Sequence, residues 1–403
     1  MIKSFYQKLK FNKIQLIWIA LSLLLFAVIS VYLFTNYIFF ANPQKEVYAS
    51  DFLSHLNFMK IINSGNLFII PHPGFHIIVI LFSWISFTSL EVSSIIVLTL
   101  CVILSFAITY FYLRSSFLRN HLESILITWI LFLVSAIFLP FFSKNVYLGQ
   151  GTPNIWHSPT FIIQKPLAIL IFYLTILFFP SNNNPLTKNK ILILAFLLLT
   201  SVWIKPNFAI TFILSLFIYI FLSSKNKFDI KLYFQALIIV IPSIISLVLQ
   251  YYFTYKLHGG KDSASLIIDF LAVWKHFSPN PYISFLLGIA FPLMIVFFRL
   301  NSIKKNPLFI LTIVFMVIAL TQMALFAEEG VRFYHWNFSW SYYIGLYFIF
   351  FITLIEYFSW INKLQKKNFI GISMFFLSSI ALFLHLGSGI FYLVKILLGF
   401  PYN

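Results

Sequence analysis

Asp51 and His55 stand four residues apart in "SDFLSHLNFMKIINSGN", residues 50–66. In a helix that spacing puts both on one face. A carboxylate beside an imidazole suits removal of a proton from a hydroxyl. The same pair, joined by His72 or His76 of "PHPGFH", also has the residue types of a metal site. A plain structural reading stands beside these. Ser50 or Asp51 caps a short helix that Gly65 ends, and the histidines are interfacial.

Three further stretches carry similar side chains. "VYLGQGTPNIWHSPT", residues 146–160, holds Asn154, Trp156 and His157. Its glycines would let backbone N–H groups approach an anion. Ser158 and Pro159 read as the cap and first residue of the next helix, whose N-terminus favours an anion. Trp156 suits either a sugar face or the headgroup level of a membrane. Lys165 follows one to two turns inside that helix. "SVWIKPN", residues 201–207, breaks an apolar run at Lys205 and Pro206. "AEEGVRFYHWNFSW", residues 327–340, gathers Glu328, Glu329, Arg332, His335 and Asn337 between two apolar runs. Arg grips phosphate bidentately, and carboxylates bind sugar hydroxyls or a cation. As a solvated loop, its Glu and Arg would simply pair with each other, a contact worth about 0–1 kcal/mol when exposed.

The elements that hold these residues are membrane helices. The chain is 61% hydrophobic and 9% charged, whereas soluble domains are about one quarter charged. Apolar runs of about 20 residues recur along its length, which predicts an all-α integral membrane protein and not a barrel. The basic opening and the long run 14–40 read as a retained signal anchor. Cys101 is the single cysteine, so neither a disulfide framework nor a cysteine metal site is available. The net charge of +17 is not gathered into a nucleic-acid module. It falls in loops: Lys3/Lys8/Lys10/Lys13, Arg114/Arg119, Lys188/Lys190, Lys225/Lys227/Lys231, Arg299/Lys304/Lys305 and Lys363/Lys366/Lys367. The positive-inside rule assigns all six clusters to the cytoplasm. The heavy use of Phe, Ile, Asn and Lys suggests an AT-rich bacterial genome and hence a plasma membrane.

Spans must then pair between neighbouring clusters. Segment 76–90, at about 15 residues, is too short to cross a core of about 30 Å. It is expected to be a juxtamembrane or re-entrant helix on the outer side. Eleven spans result, near 14–40, 91–113, 122–142, 161–180, 191–204, 207–222, 232–255, 282–299, 308–326, 340–360 and 369–395. The N-terminus lies inside. Residues 1–403 form a single transmembrane domain with external segments 41–90, 143–160, 256–281 and 327–339. Within 256–281 an amphipathic surface helix is expected, with Asp262 and Asp269 on one face. Runs 191–204 and 207–222 make a hairpin of short arms. Its tip at Lys205 falls below the outer surface and needs a protein-lined, watery cavity. A lysine snorkelling from a shifted helix end is the simpler alternative. Of the ten acidic residues, all but Glu123, Asp229 and Glu356 lie in or beside the external segments. The chemistry is therefore expected on the outer face.

A first span, an external loop with an early carboxylate in "SDFLSH", the "PHPGFH" helix start and the Arg114–Arg119 turn together resemble the GT-C superfamily of membrane glycosyltransferases. The likeness covers the first half of the chain best; later segments match in layout. It implies transfer of a sugar from a polyprenyl-phosphate or polyprenyl-diphosphate donor to a glycan or glycolipid acceptor of the cell envelope. It places Asp51 as the general base, with His55 as its partner. No Asp-x-Asp or Glu-x-Asp pair is present, and Glu46 is the nearest other carboxylate. No cofactor is required, and a divalent cation stays an option. His157, Lys165, Lys205 and Arg332, chosen by charge and inferred depth, are the candidates for the donor phosphate. Trp156, Asn154, Glu328, Glu329, His335 and Asn337 are candidates for binding the rest of the substrate. Three other readings are open. One is a transporter or flippase for a lipid-linked oligosaccharide, and another is an envelope polysaccharide polymerase or ligase. The third is a zinc hydrolase built on Asp51, His55, His72 and His76, which lacks a His-Glu-x-x-His helix. The partners expected are a lipid-linked sugar, a glycan acceptor and membrane lipid, with no nucleic acid.

Overall fold

The computed structural model describes residues 12–65, 70, 72–117, 119–179, 186–224, 227–253, 265–361 and 369–401. In chain order its helices are α1 (Lys13–Thr35), α2 (Phe52–Asn63), α3 (Gly74–Ser86), α4 (Leu90–Ser116), α5 (His121–Leu133), α6 (Pro159–Phe178), α7 (Lys188–Ile204), α8 (Pro206–Ser223) and α9 (Ile230–Tyr251). Strand β1 (Leu266–Ile268) and helices α10 (Ala272–Phe277), α11 (Pro281–Ile303) and α12 (Pro307–Leu325) follow. Strand β2 (Phe326–Glu328), α13 (Trp340–Ile361) and α14 (Phe369–Leu397) complete the chain. Among the described residues, nine helices are long and apolar enough to cross a bilayer. The protein is an all-α polytopic membrane protein.

Local sequence explains where the helices begin. Asn12 and Gln15 form a reciprocal capping box at α1. Asn120 caps α5 through the Glu123 N–H, at 2.8 Å. Asn280 and Asn306 cap α11 and α12, and each is followed by proline at the first helical position. There proline's fixed φ is helical and its missing N–H is not needed. Within the apolar helices, serine and threonine hydroxyls return to carbonyls one turn back, as Thr109 does to Ser105. No lipid could satisfy those hydroxyls.

Helix α13 is the hub. It is buried along almost its whole length and packs against α12, α11, α5 and α8. Phe348 of α13 stacks on Phe172 of α6 with centroids 3.6 Å apart, and Phe208, Phe212 and Phe315 close around Phe172. Toward the basic-loop end, Arg299 pairs with Glu356 at 2.7 Å, joining α11 to α13. Arg119 reaches the Ile355 carbonyl at 2.8 Å from the α4–α5 turn.

Two expected elements differ. The run 122–142 is helical only over α5, to Leu133. Val134 turns extended, with ψ of 147°, and the chain is held by α14 and α11. Ser135 N–H donates to the His385 carbonyl at 3.2 Å, and Ile137 N–H to the Leu287 carbonyl at 3.0 Å. Protein neighbours thus replace the helical bonds that lipid would have forced. In 256–281 the surface helix is absent where described. Leu266–Ile268 pairs antiparallel with Phe326–Glu328, and only the six residues of α10 are helical. Apolar, partly β-branched residues took a strand partner; Asp262 lies outside the described residues.

The short helix after the first span is present as α2. The "PHPGFH" segment starts α3, which ends at Phe87 in left-handed backbone, φ 53°. Gly74 opens α3 against the end of α7. A Cβ there would sit 2.8 Å from the Trp203 carbonyl carbon and oxygen. Gly74→Ala is expected to cost about 1–3 kcal/mol through overpacking against backbone. Thermal unfolding in detergent, compared with Gly387→Ala on an exposed face of α14, where an added Cβ meets nothing within 4 Å, would read that loss.

Candidate functional site

Two cavities meet at the break between α7 and α8. The first, of about 560 Å³, is polar; Asp51, His55, His157, Lys205, His335 and Trp340 line it. The second, of about 540 Å³, is mainly apolar, with Ile210, Leu247, Val248, Tyr251, Leu266 and Phe338 on its walls. His72, Lys205 and Asn337 face both.

Each polar side chain is placed by a specific element. Asp51 stands at the start of α2 without capping it, so its carboxylate is left for the cavity. Its N–H donates to the His157 carbonyl at 3.1 Å, tying the first loop to the loop before α6. His157 in turn meets the Tyr147 hydroxyl through Nε2 at 3.1 Å. Lys205 interrupts the α7–α8 run in extended backbone, because the residue before proline avoids helical geometry. Its Nζ donates to Thr160 Oγ1 at 3.0 Å and lies 3.6 Å from the centroid of the Trp340 ring. Asn207 Nδ2 donates to the Asn337 carbonyl at 2.7 Å, and Asn337 Nδ2 to Glu328 at 2.5 Å. The hairpin tip is therefore fixed to the loop before α13.

The electrostatics are those of a lysine and a carboxyl group sharing a confined space, where burial disfavours the charged form of each and each charge partly favours the other. Burial pushes the Asp51 carboxyl above its ordinary value, against the pull of Lys205 and a Ser158 hydrogen bond. Lys205 is 7% exposed, and no described carboxylate lies within salt-bridge distance of it. Burial lowers His72 and His157 to about 3, with the Lys205 charge adding to the effect. Both are neutral rings at pH 7, able to donate or accept one hydrogen bond but carrying no charge.

Several expected residues lie elsewhere. Lys165 lines neither cavity. Its Nζ donates to Asn154 Oδ1 at 2.6 Å and the Pro153 carbonyl at 3.2 Å, beneath the rings of Phe132 and Tyr347. Asn154 itself donates to the Leu131 and Val134 carbonyls, so the pair braces the end of α5. Trp156 is buried beside them; the indoles on the polar cavity are Trp336 and Trp340. Arg332 and Glu328 line the apolar cavity, and Glu329 bonds to Ser265 outside both. The "GQG" glycines do not cradle an anion at the cavity. Gly149 and Gly151 adopt φ of 93° and 90°, packed against Phe277 and Tyr342. The Gly151 N–H is engaged by the Tyr147 carbonyl at 2.7 Å. Among the described residues no three His, Cys, Asp or Glu side chains converge to hold a metal, the set Asp51, His55, His72 and His76 included. Trp336 and Trp340 are the two indoles of the 327–340 stretch; the ring residues missed from sequence are Tyr147, Tyr334 and Tyr343. Their signal was the aromatic density beside His157 and His335, which reads equally as an interfacial belt.

The chain matches no family model, no curated protein and no solved structure.

The buried histidines set a pH response. Their folded pKa values lie below the ordinary 6.5. The stability they confer is complete above 6.5 and is lost as pH falls toward about 3, because the unfolded chain binds protons the folded one refuses. The melting temperature is expected to fall between pH 6.5 and 4. His157→Gln should flatten that fall; an unchanged slope would assign the acid sensitivity elsewhere.

Proposed function

We propose that the protein is a membrane glycosyltransferase that moves a sugar from a polyprenyl-(di)phosphate donor to a cell-envelope acceptor on the outer face. The observation that carries this reading is Lys205. It is a buried lysine with no carboxylate at salt-bridge distance among the described residues, set where a polar cavity holding Asp51 joins an apolar one. A polyprenyl phosphate has the matching division: an apolar chain, an anion and a sugar.

In this reading the isoprenoid lies along Ile210, Leu247, Val248 and Tyr251. The phosphate sits at the junction against Lys205 and His72, with Arg332 on the apolar side. The sugar enters the polar cavity among Trp340, Trp336, His335 and Asn337, where flat rings and amides suit its faces and hydroxyls. Asp51 takes the proton from the acceptor hydroxyl, whose oxygen forms the new bond to the anomeric carbon. The bond from that carbon to the phosphate oxygen breaks with its electron pair staying on the phosphate. Lys205 stabilises the charge that develops there. The elevated basicity of Asp51 suits this role, since a carboxylate in a desolvated site holds a proton more strongly.

Eleven crossings, an N-terminus inside and α3 as an outer juxtamembrane helix belong to the same proposal. The short arms of α7 and α8 then bring Lys205 into the membrane at the depth of a lipid-linked phosphate. The test is mass spectrometry of lipids copurified with wild-type protein and with Asp51→Asn. Polyprenyl-linked sugar enriched on the variant supports the transferase. Bulk phospholipid alone on both, together with transport of lipid-linked glycan across vesicles, would replace it with a transporter.

A further inference from the structure

Aromatic rings run in a line from the protein surface to the wall of the polar cavity. Tyr334 and Trp336 belong to the loop before α13, and His276 and Phe277 close α10. Tyr334 lies against His276 with ring centroids 4.0 Å apart. His276 meets Phe277 edge-on at 4.9 Å, and Phe277 stacks on Trp336 at 5.1 Å with planes 14° apart. Exposure falls along the line, from 53% at Tyr334 to 5% at Trp336. Tyr334, Phe277 and Trp336 line the polar cavity together with Asp51, and none of the four rings lines the apolar one. Local contacts hold the line in place. Trp274 Nε1 donates to the Gly149 carbonyl at 2.6 Å and pins α10. Trp336 takes left-handed backbone, φ 51° and ψ 41°, which costs a residue with a bulky side chain about 1–2 kcal/mol. Ser339 secures that turn, donating to the Trp336 carbonyl from its N–H at 3.0 Å and from its hydroxyl at 2.8 Å. The turn seats the indole on Phe277 while Tyr334, two residues earlier, stays at the mouth.

We propose that Tyr334 and His276 form an outer subsite for the acceptor, and that the acceptor is an oligosaccharide. Its terminal sugar reaches Asp51 past Trp336, and the preceding sugar rests on the Tyr334 ring. A sugar ring presents C–H groups on its faces, which pack on an aromatic plane, and hydroxyls at its rim, which stay hydrated. A tyrosine that only anchors the chain at headgroup level would stand on the lipid side. Tyr334 lines the polar cavity instead, beside the exposed His335. A single sugar at Asp51 would leave the exposed end of the line empty. Donor and acceptor thus enter separately, the lipid-linked sugar along the apolar cavity and the glycan past Tyr334. The role as acceptor rests on the transferase reading. The binding of an oligosaccharide does not.

The experiment is a glycan array of mono-, di- and tetrasaccharides probed with the full chain in fluorescent nanodiscs. Wild type is expected to hold di- and tetrasaccharides about three- to tenfold more tightly than the matching monosaccharide, the worth of one stacked ring. Tyr334→Ala should abolish that preference, and Tyr334→Phe, which keeps the ring, should restore it. Because Tyr334 is half exposed, the melting temperature of Tyr334→Ala should match wild type. Equal binding of mono- and tetrasaccharides by wild type overturns the proposal. So does absence of glycan binding, or a preference untouched by Tyr334→Ala. A transfer assay with a polyprenyl-phosphate sugar and a tetrasaccharide acceptor separates the two readings. No transfer, with the array preference present and dependent on Tyr334, would sink the glycosyltransferase and leave the subsite standing. Transfer with the same acceptor KM in Tyr334→Ala and wild type would keep the transferase and remove the subsite.

Discussion

Asp51→Asn is expected to reduce sugar transfer about 10²–10⁴-fold, the usual contribution of a positioned general base. The amide keeps the shape and size of the side chain but cannot take the acceptor proton. Donor binding should persist, because the cation at the junction is untouched. Stability should move the other way. The folded Asp51 carboxyl titrates above its ordinary 3.8. Its contribution is therefore complete below 3.8 and is lost as pH rises through the folded value. Asn carries no such loss, so the variant should melt higher than wild type at pH 7 and level with it in acid. Transfer rates in proteoliposomes, with melting curves at pH 4 and 7, read both effects. Full activity in Asp51→Asn would remove the base from Asp51; low activity with a lowered melting temperature at pH 7 would show damage to the fold instead.

Lys205→Met should cost about 10²–10³ in rate, comparable to deleting one donor to a developing oxyanion. Methionine replaces the stem of the lysine and can still pack under Trp340. What disappears is the charge, together with the hydrogen bond to Thr160. A buried ion without a counter-ion is expensive to hold, so an apolar replacement is expected to equal or exceed wild-type stability. The loss should appear in both donor affinity and kcat if Lys205 meets the phosphate in the bound and transition states alike. There is a second signature. Lys205 pulls the Asp51 pKa down, so its removal should move the acid limb of any residual activity to higher pH. Unaltered donor affinity and kcat would make Lys205 a structural plug of the hairpin break.

The two variants probe one cavity, yet their residues are over 150 positions apart in the chain. What joins them is the set of contacts between loops: Asp51 to His157, Lys205 to Thr160, and Asn207 to Asn337. None has a local signature, because each partner is chosen by how α2, α6, α8 and α13 stack.

Sequence by itself determined the class of molecule and the location of its long apolar helices. Hydropathy is a sum over neighbours along the chain, and a bilayer demands it in blocks of about 20 residues. The capping residues, the proline break at Lys205 and the short helix carrying Asp51 and His55 were local for the same reason. Tertiary structure decided which polar side chains meet. Lys165, Asn154 and Trp156 carry the chemistry of a binding site, yet they brace the interior, since the carbonyls freed at the end of α5 needed donors. His72, read as a metal ligand or an interfacial histidine, and the tyrosines Tyr147 and Tyr343, which carried no reading, form walls instead. The extended stretch after Leu133 and the β1–β2 pair were decided there as well. In each, backbone groups found protein partners distant in sequence, and a pattern read along the chain does not contain the partner.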